Sequence, residues 1–127
     1  ATVQSPVRHD VETAGIFGLG FLYTKRRDAR HGIAVGGDYR KDTEAAANIA
    51  LTADGGRTWT APKQGPAGFR SAVEYLAGAK VWVATGTSGS DVSADGLVWR
   101  KFDDGAYNAL SGSWAAGPKG RIAVFRK

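Results

Sequence analysis

Cysteine and methionine are both absent from this chain of 127 residues. Without cysteine there are no disulfides and no thiolate metal sites. The two histidines, His9 and His31, have neither an i, i+4 partner nor a carboxylate at zinc-site spacing, so no metal is expected. No apolar run approaches the ~18 residues of a membrane-spanning helix, so no membrane span is expected. The chain opens ATVQSP, without a leader-like stretch or an initiator Met, as a processed or excised piece would. A G-x-S-x-G elbow and a Walker loop are also missing. Gly86-Thr87-Ser88-Gly89 and Gly117-Pro118-Lys119-Gly120 superficially resemble phosphate loops. Neither precedes a helical pattern, so both read as hairpin turns, and no cofactor or catalytic residue is expected.

The charge is unbalanced, with 17 Lys and Arg against 12 Asp and Glu, a formal net of +5 and a pI near 9.7. Such a surplus favours acidic partners. The only dense basic run is Lys25-Arg26-Arg27, with Arg30 and His31 beyond Asp28. No aromatic ladder accompanies it, so nucleic acid is not an expected partner. An acidic protein or a glycan remains.

Glycine, by contrast, is abundant: 18 residues, distributed along the whole chain. Spaced glycines between short apolar runs indicate an all-β chain with tight turns. Phe17, Leu19 and Phe21 alternate on one face of a first strand, and Gly32-Ile33-Ala34-Val35-Gly36 forms a second. Asn48-Ile49-Ala50-Leu51-Thr52, a turn at Asp54-Gly55-Gly56 and Thr58-Trp59-Thr60 complete a four-stranded meander. The pattern restarts at Phe69 and again at Ala106. Trp82 to Ser93 aligns with Trp114 to Phe125 when one residue of slack is allowed. Thr52 and Ser93 lie 41 residues apart, close to the ~40–45 residues of a propeller blade. The expectation is therefore an all-β, β-propeller fragment of about three four-stranded antiparallel blades. Residues 1–9 would form a latch strand, 15–63 and 64–104 blades, and 105–127 a partial blade. Residues 38–47 form a polar insertion in the first blade, and Glu44 with the three alanines after it could make a helical turn.

The segment TADGGRTW at 52–59 resembles the Asp box, S/T-x-D-x-G-x-x-W, of sialidase-type propellers. Its carboxylate accepts turn N–H groups, its glycine takes a conformation costly to other residues, and its indole plugs the hairpin. Those structural roles fall to Thr52, Asp54, Gly56 and Trp59, and in a copy shorter by one residue to Ser93, Asp95 and Trp99. Beyond the boxes, the succession HGIAVGGDYRK, LTADGGRTWT, GFRSAVEY, GSDVSADG and GPKGRIAVF resembles the C-terminal half of bacterial BNR-repeat propellers. These are similar to the photosystem II stability/assembly factor family of the sialidase superfamily. The resemblance implies an exported or periplasmic protein with six or seven blades in its ring. It also implies assembly-chaperone-like, non-enzymatic work.

Three blades cannot close a ring, so a complementary propeller half or identical subunits are the expected partners. The candidate contacts are Asp38, Tyr39, Arg40 and Lys41 on the insertion, Arg70 and Ser71 at the start of the second blade, and Asp91. Each also has a plain structural role open to it: Asp38 as a turn cap, Tyr39 as loop packing, Arg70 as the partner of a carboxylate. Two other readings stand beside the scaffold. One is a sialidase-type glycoside hydrolase fragment. Against it, Phe69-Arg70 matches only the first half of an F/Y-R-I-P motif, and Ser71 and Ala72 replace Ile and Pro. The other is an excised or designed fragment without a native function.

Overall fold

The computed structural model of the chain describes residues 2–22 and 30–126. The basic run at 25–27 lies outside them. The described residues are all-β, in three antiparallel sheets. The first joins β1 (Ala14–Leu22), β2 (His31–Asp38) and β3 (Ile49–Thr52). The second joins β4 (Ala72–Leu76), β5 (Val81–Gly86), β6 (Gly89–Ser93) and β7 (Arg100–Asp103). The third joins β8 (Ala109–Ser111), β9 (Trp114–Gly117) and β10 (Arg121–Val124). No helix among the described residues is long and apolar enough to cross a membrane.

Alternation along the strands gives each sheet two distinct faces. In the first sheet Val35 pairs with Ile49 and Ala34 with Ala50. Ile33, Val35 and Ile49 point to the second sheet, where they meet Val73, Trp82, Ala84 and Trp99 in the main core. Ala34 and Ala50 turn the other way and are covered by Val7 and Trp59.

The same backbone contact recurs from each sheet to the next. Arg70 N–H donates to Gly36 O across 3.0 Å, and Tyr107 N–H donates to Gly86 O across 3.1 Å. The glycines are required there. A methyl on Gly36, Gly86 or Gly117 would collide with the carbonyl oxygen of Gly15, Phe69 or Ala106 respectively. These three positions index the sheets against one another. Counting back from them, Ala34, Ala84 and Ala115 are equivalent, as are Ile33, Val83 and Trp114. Trp114 is therefore not the counterpart of Trp82, as the sequence alignment expected. The extra residue falls inside the strand, and Ser113 holds the place of Trp82. Trp82 is 5% exposed in the core, whereas Trp114, on the opposite face of its sheet, is 57% exposed.

The fourth strand expected for the first sheet shrinks to a single antiparallel bridge, Leu51 with Thr60. Residues 2–8 do not form a strand. Pro6 has no N–H to give, and Val7 N–H turns onto Ser5 Oγ at 3.0 Å, so no ladder can run through this stretch. Val7 is buried against the first sheet, and Arg8 N–H reaches Ala47 O at 2.8 Å. Residues 44–47 carry no helical turn; the only one in the connection is the short 3-10 turn Tyr39–Lys41.

Candidate functional site

Two ends of the sheets carry different chemistry. At one end lie the turns that follow β3 and β6. Thr52 Oγ1 accepts Gly56 N–H at 2.9 Å, while Asp54 Oδ1 accepts Thr58 N–H at 2.9 Å and the Thr52 hydroxyl at 2.8 Å. Trp59 Nε1 then donates to Gly56 O at 2.9 Å. The second turn repeats each role. Ser93 Oγ accepts Gly96 N–H at 2.8 Å, Asp95 Oδ1 accepts Leu97 and Val98 N–H, and Trp99 Nε1 donates to Gly96 O at 2.8 Å. Gly55, Gly56 and Gly96 have φ of 76°, 94° and 78°, a region that favours glycine. The Thr58 hydroxyl, then its N–H, then the Thr52 hydroxyl hold the Asp54 carboxyl well below the usual carboxylate range. Asp95 is lowered as well, first by Leu97 N–H and then by Val98 N–H. Both carboxylates are thus committed to their own turns.

The other end gathers the start of β1, β4 and β8, the connection 38–48 and the Thr87-Ser88 turn. Asp38 ends β2. Its carboxylate accepts the Thr13 hydroxyl and Arg40 N–H, capping the 3-10 turn, and the Thr13 hydroxyl above all lowers its pKa. Asp42, beyond this turn, ties the connection to the second sheet. Its carbonyl accepts Phe69 N–H at 2.9 Å and the Ser88 hydroxyl, and its carboxylate accepts the Thr87 hydroxyl at 2.7 Å.

Arg70 and Asp91 come together here, but inside the protein. Arg70 is 0% and Asp91 1% exposed. Arg70 Nε donates to Asp91 Oδ1 at 2.7 Å, and Nη2 lies 2.6 Å from the same oxygen, too far off axis to count as a directed hydrogen bond. Nη1 donates to Phe69 O and Ser88 Oγ, and Asp91 Oδ2 accepts Ala67 N–H. The pair clamps the incoming 66–70 segment to β6 and offers no surface to a ligand. Ser71 donates its hydroxyl to Asn108 O at 2.8 Å, which links the second and third sheets.

What remains open to solvent is an aromatic and basic patch. Tyr39 is 50% and Phe17 48% exposed, with their rings edge to face at 6.0 Å. Phe69, buried beneath, meets Phe17 edge to face at 5.0 Å and holds both rings in place. The exposed cationic side chains of Arg40 and Lys41 lie on the 3-10 turn beside Tyr39. Rings and cations of this kind bind anionic or π-faced groups and supply no nucleophile–base pair. Of the seven expected contacts, the structure leaves Tyr39, Arg40 and Lys41 on this patch. The sequence reading missed Phe17 and Phe69 as site residues, although Phe17 stands on the period-two face of the first strand and Phe69 immediately precedes Arg70.

Compared with known proteins, the chain matches no family model, no curated protein and no solved structure.

Proposed function

We propose that this chain is a three-blade arc of a β-propeller that works as a non-enzymatic scaffold or binding module, in the manner of an assembly factor. The observation that carries the reading is the repeated step between sheets. The Arg70–Gly36 and Tyr107–Gly86 contacts are the same backbone bond made twice, each over a glycine that admits no side chain. Successive first strands also neighbour one another, β1 beside β4 and β4 beside β8, as around a common axis. The two carboxylate–glycine–indole turns, read as Asp boxes, recur at the same end of consecutive sheets.

In this reading the ring is completed by a complementary propeller half or by copies of the same chain. The patch at Tyr39, Arg40 and Lys41 then faces an acidic protein or glycan. The burial of Arg70 supports binding over glycoside hydrolysis, because a guanidinium closed off by Asp91 cannot clamp a substrate carboxylate. The test is the mass of the folded chain in solution at micromolar concentration, with any co-purifying polypeptide identified. Assemblies heavier than one chain are expected. A well-folded species of 13.3 kDa that recruits nothing would overturn the reading.

A further inference from the structure

A cavity of about 110 Å³ lies between the second and third sheets, and its lining repeats the seat of a tryptophan one sheet earlier. Trp99 is enclosed by Ile33, Val35, Ile49, Val73, Trp82 and Ala84. Moved on by one sheet through the glycine index and the strand pairings, these positions are Val83, Thr85, Ser90, Leu110, Ser113 and Ala115. All six line the cavity. Ser113 accounts for the place of Trp82, so the seat with no residue is that of Trp99.

The missing indole would come from a fourth strand, and among the described residues the third sheet has three. Among the described residues β10 pairs only with β9, leaving its outer edge free. Nor do residues 125–127 encode the tight turn that leads β6 into β7. Phe125 N–H donates to Ser113 O, which places Phe125 where the other sheets have Thr52 and Ser93. A phenylalanine therefore stands where the two turns begin with Thr and Ser. Its ring instead meets Phe102 edge to face at 5.5 Å, at the rim of the cavity.

We propose that this cavity is an indole socket, filled when an extended strand from outside the described residues pairs with the edge of β10 and inserts a tryptophan between the sheets. The partner's chemistry is thereby fixed. Backbone hydrogen bonds to β10 supply the pairing, and one large planar apolar side chain supplies the selectivity. This inference rests on the propeller reading, because it treats the third sheet as a blade lacking its last strand.

The probe is a synthetic peptide with capped ends that copies residues 97–103, LVWRKFD, labelled for anisotropy and titrated into the full chain. The titration is run at a dilution where light scattering gives the mass of one chain. Saturable binding is expected, weakened at least about tenfold when the peptide's tryptophan is replaced by alanine. The receptor variant Ala123→Leu, which puts an isobutyl group into the cavity, should weaken the tryptophan peptide by a similar factor. Its melting temperature should not fall, which separates a blocked socket from a lost fold. No binding, or equal binding of the tryptophan and alanine peptides, would overturn the socket. The mass of the unaided chain at higher concentration tests the propeller reading separately, so either idea can fail without the other.

Discussion

Arg70 and Asp91 give the sharpest energetic test of how the second sheet is held. Replacing Asp91 by Ala leaves a guanidinium at 0% exposure with only Phe69 O and Ser88 Oγ as acceptors. It also strips Ala67 N–H of its partner. Breaking one side of a buried pair costs about 3–5 kcal/mol, because the remaining charge stays buried and uncompensated. A domain of this size is stable by about 5–15 kcal/mol in total. The single variant therefore gives up a large fraction of its stability, and its midpoint falls by roughly 3–6 °C for each kcal/mol lost.

Arg70→Met should cost a similar amount, since it leaves the Asp91 carboxylate with Ala67 N–H alone among its present donors. The double variant Arg70→Met/Asp91→Leu buries two apolar groups of comparable volume and should cost clearly less than the sum of the singles. Urea unfolding of the four proteins, followed by tryptophan fluorescence, gives the coupling directly. A loss below ~1 kcal/mol for Asp91→Ala would show that the pair is not a clamp. Additive losses would show that the two groups act independently.

Two further outcomes follow from the turns. The folded-state pKa values of Asp54 and Asp95 lie below the ordinary ~3.9, so both favour folding above that pH, and the contribution disappears as pH falls through the folded values. Wild-type stability should therefore decline on acidification below about pH 4, and Asp54→Asn/Asp95→Asn should flatten that decline, as read from urea midpoints between pH 6 and 2. An unchanged acid slope would contradict the assignment. The indoles should differ in their worth. Trp99→Ala, at 1% exposure, should cost about 3–5 kcal/mol, whereas Trp59→Ala, half-buried on the first sheet's outer face, should cost markedly less by the same measurement. Equal losses would mean that the cover of the first sheet over Trp99 adds nothing to its worth.

The turns and strands were legible because their signals are local. A carboxylate two residues after Thr52 or Ser93, a glycine at positive φ and an indole three residues beyond the glycine are fixed by short-range geometry. The failures came from relations between sheets. Arg70 reads as a surface cation because arginine is seldom buried, and nothing near it announces that its partner stands 21 residues later on β6. Gly36, Gly86 and Gly117 mark equivalent places, yet their spacings differ because the connection 38–48 and the turns vary in length. Trp82 and Trp114 were therefore aligned by identity, one residue out of step. Residues 2–8 read as a lone strand, with Val3 and Val7 on one face, but Pro6 and the Ser5 turn remove the ladder.

The same indexing explains where apolar side chains stay exposed. Ile33, Val35 and Ile49 are 2%, 0% and 3% exposed because the second sheet covers them, and Val83, Thr85 and Ser90 are buried at the next boundary. At the corresponding places in the third sheet, Trp114 and Ile122 are 57% and 71% exposed, on a face that nothing among the described residues covers. The opposite end differs. There Val7 and Trp59 lie over Ala34 and Ala50, so the first sheet carries its own partial cover. An indole and an isoleucine on one bare sheet face, next to the free edge of β10, make a surface that water disfavours and a strand can extend. An unpaired strand edge and an exposed apolar face thus coincide at the third sheet, whereas the outer face of the first sheet is partly covered.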